Sequence, residues 1–208
     1  MQLMQLSKLS YYADFVVYPL VLLILTALGF SHLLGIGGTH WVGDAHWVGG
    51  AQWLDGLRWL GAGIVGLVFW TLLEYALHRV ALHHMPYFSP MHGLHHASPL
   101  ALIGTPTWMS VSILVSAVLI PAWLSLGFMV ADGLTIGIML GYFWYGTVHH
   151  VIHHRANDSS PSYFNDLRAW HLRHHYSPKN GNFGVTTRFW DHVFGTAIGA
   201  GGKAAISP

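Results

Sequence analysis

The sequence predicts an all-α integral-membrane protein, in which about four transmembrane helices are capped by a cytosolic, histidine-rich helical domain that holds metal. Of the 208 residues, 53% are hydrophobic and only 8% are charged, whereas soluble domains carry roughly 25% charged residues. Four apolar stretches approach the length of about 20 residues that a spanning helix needs. Histidines recur at helical spacing between residues 78 and 175. These three observations predict the fold class.

The apolar stretches define the predicted helices in order along the chain. The first runs from about residue 15 to 34. We interpret it as a retained helix, because it is long for the apolar region of a signal peptide and lacks a clear cleavage site. The other three cover residues 57–77, 108–130 and 134–152. Between the last two, Asp132-Gly133 predicts the turn of a tight hairpin.

Basic residues predict the orientation of these helices. Lys8, Arg79 and the basic residues that follow the fourth helix fall on one side of the predicted membrane, and only Arg58 falls on the other. Loops on the cytosolic side are enriched in lysine and arginine. We therefore expect both termini and the loop between the second and third helices to be cytosolic.

A short tryptophan repeat lies on the opposite side in this topology. Tryptophan recurs every six residues between His40 and Gly56 and favours the headgroup level of a bilayer. We interpret this segment as an interfacial loop rather than as a second metal site built on His40 and His46. The predicted organisation is an N-terminal part, residues 1–56, and a metal-binding domain, residues 57–208, with cytosolic segments 78–107 and 153–196.

Ten of the 17 histidines fall into four clusters with the spacing of metal ligands. Side chains three and four residues apart share one helix face, and burying imidazoles without partners would cost about 1–3 kcal/mol each. Ten imidazoles exceed what one ion can hold, so the pattern predicts a binuclear site. The clusters are His78 and His83; His92, His95 and His96; His149 and His153; and His171, His174 and His175.

Composition restricts the chemistry of this site. The chain has no cysteine, which excludes disulfides, iron–sulfur clusters and thiolate zinc sites. Its only glutamate is Glu74, so calcium and magnesium, which prefer oxygen ligands, are poor candidates. Imidazole suits zinc, copper, nickel and iron. The formal net charge of +1 offers no basic surface for nucleic acid.

Spacing leaves some ligand choices open. The five-residue separation of His78 and His83 rotates the second ring by about 140° on an α-helix. The two rings could therefore serve different ions, or the helix ends between them near Leu82. His150 and His154 repeat the spacing of His149 and His153 one residue later, and His84 competes with His83. We favour roles outside direct coordination for these three extra histidines.

The clusters and their surroundings resemble the fatty acid hydroxylase superfamily, also called the sterol desaturase family, whose members are integral-membrane di-iron oxygenases. The matching stretches are EYALHRVALHH (74–84), HGLHH (92–96), GYFWYGTVHHVIH (141–153), AWHLRHH (169–175) and NFGVTTRFWDHVFGT (182–196). The HRxxLH motif and the closing NFG…WDxxFGT segment are most similar to the fatty acid 2-hydroxylase branch. The resemblance implies that the metal ligands are the ten clustered histidines, and it selects His149 and His153 over their neighbours.

The resemblance also implies the cofactors, partners and reaction. It implies two iron ions, with zinc as an alternative occupant, and hydroxylation of the acyl chain of a fatty acid or lipid by O2 in a bacterial inner membrane or the ER membrane. Because no fused cytochrome b5 domain fits before Phe15 or after Thr196, we expect a separate electron donor, such as cytochrome b5 or a ferredoxin with its reductase.

Other activities stay open at this point. A sterol or lipid desaturase or methyl oxidase of the same superfamily is the nearest alternative, and a bis-histidine haem electron carrier is a more distant one. Asp158, Asp166 and Asp191 are candidate acceptors for the ligand N–H groups, and Asp191 is the best placed by motif.

Overall fold

The computed structural model describes residues 5–35, 52–155 and 162–199. Most of these residues are helical, and the only pairing of extended backbone among them is an isolated bridge between Gln5 and Ile103. The all-α prediction is therefore confirmed. His40, His46, most of the tryptophan repeat and Asp158 lie outside the described residues.

Nine α-helices occur in the part of the chain that the structure describes. They are α1 (Lys8–Tyr12), α2 (Asp14–Leu33), α3 (Gln52–Ala76), α4 (Phe88–Ala97), α5 (Thr107–Leu114), α6 (Ile120–Leu126), α7 (Phe128–His154), α8 (Ser162–Tyr176) and α9 (Phe189–Val193). Two π-helical segments extend them: Leu77–Leu82 follows α3, and Val115–Leu119 joins α5 to α6.

Four helical stretches are long and apolar enough to cross a membrane, which is the number that the sequence predicts. They are Lys8–Leu33, Trp53–Leu82, Thr107–Leu126 and Phe128–His154. Many of their large apolar side chains are exposed, including Leu23, Ile64 and Leu124. Exposed apolar surface of this extent suits contact with lipid rather than with water.

The predicted hairpin turn at Asp132-Gly133 is wrong. The chain turns at Gly127 instead, which adopts a φ of 83° that glycine tolerates without steric cost. Asp132 lies inside α7, fully buried, and accepts a hydrogen bond of 2.7 Å from the indole N–H of Trp59. Because this partner pairs one carboxylate oxygen of Asp132 within the helix, the Asp-Gly pair does not form a turn. The last two spans therefore meet at residue 127.

Contacts within the chain divide it into two compact units. The first unit comprises residues 1–70 and 102–143, and the second comprises residues 71–101 and 144–208. The boundary predicted from the sequence, between residues 56 and 57, separates an N-terminal part from a metal-binding domain rather than two compact units. It stays a prediction.

Within the first unit, the backbones of α3 and α7 approach each other closely through glycine. A Cβ atom added to Gly137 would lie 2.1 Å from the carbonyl oxygen of Gly63, and one added to Gly133 would lie 2.2 Å from that of Trp59. Small residues allow such close packing between helices in membranes. Asp14 also ties this unit together, because its carboxylate accepts hydrogen bonds from the Thr107 and Tyr142 hydroxyls.

Within the second unit, a small apolar core joins α7, α8 and the segment that follows α8. Val148, Ile152, Leu167 and Val185 are buried together, and Tyr145 packs against them. This core fixes the spacing of the helices that carry the histidine clusters.

Candidate metal centre

The ten clustered histidines, all in the second unit, come together as two groups of five. Within each group, one ring nitrogen from every histidine lies within 4.8 Å of the others. The first histidine group is His78, His83, His92, His96 and His174, and the second histidine group is His95, His149, His153, His171 and His175. The two groups are neighbours, since the rings of His96 and His175 stack with their centroids 4.2 Å apart.

Each histidine triad contributes to both groups. On α4, His92 and His96 belong to the first group, whereas His95 belongs to the second. The triad on α8 reverses this arrangement: His171 and His175 enter the second group, and His174 enters the first. On a helix, two residues four apart lie one turn apart on the same face, and the residue three positions after the first lies beside that pair. Two short helical motifs therefore each contribute to both histidine groups.

The π-helical segment Leu77–Leu82 explains the five-residue spacing of the first cluster. A π-helix closes its hydrogen bonds from residue i to residue i+5, so residues five apart lie about one turn apart. The rings of His78 and His83 are stacked, with centroids 5.5 Å apart, and both lie in the first histidine group. The structure does not separate them between two groups, although the regular π-helix does end at Leu82.

The Nε2 atoms converge within each group. In the first group, Nε2 of His92 lies 3.0 Å from Nε2 of both His78 and His96. In the second group, Nε2 of His171 lies 3.0 Å from Nε2 of both His153 and His175. Each nitrogen of a neutral imidazole is either a donor or an acceptor, so the central Nε2 atom of each trio can form a hydrogen bond with only one of its two neighbours. Converging lone pairs fit a cation among them.

Two backbone carbonyls fix which nitrogen of the ring carries the proton in the first group. Nδ1 of His78 lies 2.5 Å from the carbonyl oxygen of Phe183, and Nδ1 of His174 lies 2.8 Å from that of Gly181. A carbonyl oxygen only accepts, so both Nδ1 atoms carry hydrogen and both Nε2 atoms keep a free lone pair. This is the tautomer that a ligand through Nε2 requires.

Burial keeps these rings neutral. Loss of solvation and, to a smaller extent, neighbouring histidines lower the pKa of His95 and His174 to about 3 and that of His83 to about 4, although the hydrogen bond to the Gly181 carbonyl raises that of His174 in part. The same two causes lower the pKa of His175 to about 2. Metal ligation requires the unprotonated ring. The rings are thus in the form that binds a cation at neutral pH.

The remaining histidines near the clusters lie outside both groups. His150 and His154 stack on each other, with ring centroids 4.6 Å apart. His84 is exposed next to His83. His192 packs its ring against Trp170, with centroids 5.6 Å apart.

The predicted acceptors of the ring N–H groups need correction. Asp191 is fully buried, but its carboxylate accepts from the amides of Phe183 and Gly184 and not from a ligand ring. Asp166 is exposed and lies 3.4 Å from Arg188. The ring N–H groups of His78 and His174 go instead to backbone carbonyls, which sequence reasoning missed because a carbonyl carries no residue signature.

Glu74 is a second buried carboxylate that sequence reasoning left without a partner. Its Oε1 accepts from the amides of Val185 and Thr186, at 2.7 and 2.8 Å, and its Oε2 accepts from the Thr186 hydroxyl. Glu74 is the only glutamate of the chain and lies in an apolar helix. An ionisable residue in such a helix indicates a functional site, so the sequence already marked Glu74 as a candidate.

The family model described as fatty acid hydroxylase matches residues 63–196, which is more than half of the chain. The chain belongs to the fatty acid hydroxylase family. The matched range contains all ten clustered histidines and the NFG…WDxxFGT segment.

Curated relatives of this chain confirm the predicted similarity to the fatty acid 2-hydroxylase branch. It is 35% identical over 156 residues to the ceramide very long chain fatty acid hydroxylase scs7 of Schizosaccharomyces pombe, covering 64% of this chain and 41% of that protein. It is 34% identical over 148 residues to the dihydroceramide fatty acyl 2-hydroxylase FAH2 of Arabidopsis thaliana, covering 64% and 59%. It is 31% identical over 151 residues to the fatty acid 2-hydroxylase of Rattus norvegicus, covering 67% and 40%. The match thus spans about two fifths to three fifths of these relatives.

A solved structure shares the fold. The structure of full-length scs7p, in which only the hydroxylase domain is visible, superimposes with a TM-score of 0.69 at 25% identity. The superposition covers 95% of this chain and 69% of the other.

Proposed function

We propose that this protein is a membrane-bound, O2-dependent di-iron hydroxylase that acts on the acyl chain of a fatty acid or lipid. The observation that carries the proposal is the pair of neighbouring five-histidine groups. The named activities of its relatives, which hydroxylate fatty acyl chains, support the choice of substrate class.

The donor set fits iron. All ten ring nitrogens are borderline ligands that suit iron and zinc, and no thiolate is present to favour softer metals. Five nitrogens in each group leave one position of an octahedral ion free for a further ligand. We propose that each histidine group holds one ion, and that zinc can take the place of iron in purified protein.

The reaction follows from the chemistry of an unactivated C–H bond. Hydroxylation replaces C–H by C–OH with one oxygen atom of O2, and the other oxygen leaves as water, with two electrons and two protons supplied. A bound iron pair supplies the O2 activation that no amino-acid side chain provides. The histidines orient the ions and, by their burial, exclude bulk water from them.

The electrons have to come from a partner, because the reaction consumes two of them for each product. We propose a separate donor protein, such as cytochrome b5 or a ferredoxin with its reductase. The bias of basic residues supports a cytosolic position for the histidine-rich segments, where such donors are found.

Adjacent histidines give a matched test of this proposal. We expect His83→Ala to lower the metal content and to abolish hydroxylated product, whereas His84→Ala, one residue later and outside both groups, keeps both. His95→Ala and His174→Ala should behave like His83→Ala without loss of membrane insertion. Metal per chain and lipid mass spectrometry of expressing cells are the measurements.

The products distinguish the alternatives. Lipids that gain one oxygen atom support hydroxylation, and lipids that lose two hydrogen atoms indicate a desaturase. Hydroxylation that persists in His95→Ala or His174→Ala would contradict the ligand assignment. A strong Soret band in the purified protein would indicate bound haem and contradict the proposed di-iron centre.

A further inference from the structure

We propose that the first histidine group binds its metal ion before the second group and more tightly, because two buried carboxylates preset the tautomer of its rings. The carboxylates are Asp191 and Glu74, and they act through the backbone of residues 181–186. They are positioning residues, since both accept hydrogen bonds from this backbone and neither belongs to a histidine group. The inference rests on metal binding by both groups, as proposed above.

The carboxylates hold four consecutive amides of the segment. Asp191 accepts from Phe183 N through Oδ1 and from Gly184 N through Oδ2, both at 2.8 Å. Glu74 accepts from the next two amides, those of Val185 and Thr186, through Oε1. Asp191 is 0% exposed and Glu74 is 3% exposed. Hydrogen bonds to buried charged groups are the strong ones, so this stretch of backbone has little freedom.

Contacts with residues 187–198 also fix the shape of the 181–186 segment. Asn182 adopts a φ of 57°, in the left-handed region that asparagine tolerates. Its side-chain oxygen accepts a hydrogen bond from Ile198 N at 2.7 Å, and its backbone N–H donates to the Thr196 carbonyl at 3.0 Å. A Cβ atom on Gly184 would lie 2.0 Å from the Thr187 carbonyl oxygen. The turn is therefore determined independently of any metal.

This fixed backbone presents its carbonyls to the first group. Gly181 O receives the Nδ1–H of His174, and Phe183 O receives that of His78. Both rings are consequently held with a lone pair on Nε2 before an ion arrives. An ion entering the first group meets two rings whose protonation and orientation are already correct.

Two rings of the second histidine group lack this support. The Nδ1 atoms of His171 and His175 are buried and have no hydrogen-bond partner among the residues that the structure describes. A proton on Nε2 of these rings can instead bond a neighbouring Nε2 atom of the group, so the ligand tautomer is not selected in advance. Ring orientation and tautomer must both be set when the ion binds, which lowers the affinity.

The two carboxylates offer a matched pair of conservative substitutions. In Glu74→Gln, the amide oxygen can still accept from the two backbone amides, and the new NH2 group can donate to the Thr186 hydroxyl, which then accepts. In Asp191→Asn, both oxygen positions face N–H donors, because Oδ2 also accepts from the Trp170 indole. The asparagine NH2 group therefore meets an N–H in either orientation.

The experiment titrates metal-free, full-length protein in detergent with Co²⁺ and follows binding by calorimetry and by the visible spectrum. Two double variants isolate the groups. His92→Ala with His96→Ala leaves only the second histidine group intact, and His153→Ala with His171→Ala leaves only the first.

We expect two binding steps in the wild type. Asp191→Asn should weaken the isolated first group by about ten-fold or more, while the isolated second group changes by less than about two-fold. Glu74→Gln, which keeps the acceptor for both amides but loses the charge, should weaken the isolated first group less than Asp191→Asn does.

Several results would overturn the inference. They are a single class of sites in the wild type, tighter binding by the isolated second group, or equal weakening of both groups by Asp191→Asn. These results leave the proposed hydroxylase intact, whereas a wild type that binds no metal refutes both proposals.

A measurement on the wild type alone covers the case in which Asp191→Asn does not fold. Nitrogen NMR of histidine side chains in metal-free protein reports the tautomer of each ring. We expect His78 and His174 to be fully Nδ1-protonated and His171 and His175 to be mixed. Mixed tautomers at His78 and His174 would refute the inference.

Discussion

A buried imidazole is useful to a metal centre because it stays neutral. Burial and neighbouring rings lower the pKa of His95 and His174 to about 3, far below the value of about 6.5 for an exposed histidine. Both rings are therefore ready to bind a cation throughout the physiological range. The same burial makes the metal-free protein sensitive to acid.

We predict that the metal-free protein loses stability as the pH falls below about 6.5, the pKa of histidine in the unfolded chain. The folded-state pKa of His83, His95 and His174 is lowered, so the unfolded chain binds more protons between about pH 6.5 and the lowered values of about 4, 3 and 3. The free energy of unfolding falls through that window. Thermal unfolding of chelated protein in detergent, at steps from about pH 7.5 to 5, measures the effect.

The metal-loaded protein is the control for this prediction. Bound ions stabilise the folded state and compete with protons for Nε2. Its unfolding midpoint should exceed that of the metal-free protein at every pH in the series. A midpoint of the metal-free protein that stays constant, or rises toward pH 5, would contradict the burial of neutral rings.

Single residues also show what sequence could not decide. His149 and His150 have the same spacing to a histidine four residues later, and nothing local distinguishes them. The structure brings His149 into the second histidine group and leaves His150 stacked on His154. The choice depends on how α7 is rotated against α4 and α8 within the second unit. That rotation is a property of tertiary packing rather than of spacing.

Among the helical elements, the π-helical segment Leu77–Leu82 departs most from the pattern that the sequence suggests. An α-helix would turn His78 and His83 away from each other, whereas the wider turn brings both into the first histidine group. π-helical turns are rare and are frequently found at functional sites. The segment allows a ligand spacing of five where α-helices allow three or four.

We predict that the length of this segment controls the occupancy of the first group. Deleting Val80, which is exposed, leaves the two histidines four apart, so an ordinary α-helix again places them on one face. Inserting one alanine after Val80 makes the spacing six, which neither helix type aligns. The deletion should keep two ions per chain, and the insertion should lower the count toward one, as measured by metal analysis. Equal loss in both variants would contradict this account.

The turn between the last two spans shows why a local signal failed. Asp-Gly is a strong turn signal because both residues favour loops in water. Asp132 instead lies inside α7 and is paired with Trp59, a residue 73 positions away in sequence. Gly133 is needed for a different reason, the close approach of α3. A long-range partner overrode the local preference.

For the molecule as a whole, the features that follow from composition were predictable. The number of spans follows from apolar length, which is local, and the ends of all four were located to within seven residues. The histidine clusters were visible from spacing, and the family resemblance came from the same residues. The partition of ten histidines into two named groups was not predictable, because each triad divides between the groups.

The orientation across the membrane is a prediction that the absence of cysteine makes easy to test. The distribution of basic residues predicts a cytosolic position for the histidine-rich segments, because lysine and arginine are retained on that side during insertion. Single cysteines at Lys179 and at Leu34, both exposed, should therefore fall on opposite sides of the membrane. We expect a membrane-impermeant maleimide to label Leu34→Cys in intact cells and to label Lys179→Cys only after permeabilisation.

The parent protein has no cysteine and sets the background for this labelling experiment. Labelling of Lys179→Cys in intact cells would place the histidine-rich segments outside the cytosol, away from the soluble electron donors that the proposed reaction needs. Moving the basic residues offers a reciprocal test, since the bias acts through lysine and arginine close to the helix ends. Substituting Lys8 and Arg79 by glutamine and adding two lysines next to Arg58 should produce a fraction of inverted chains, in which the accessibility of the two cysteines is exchanged.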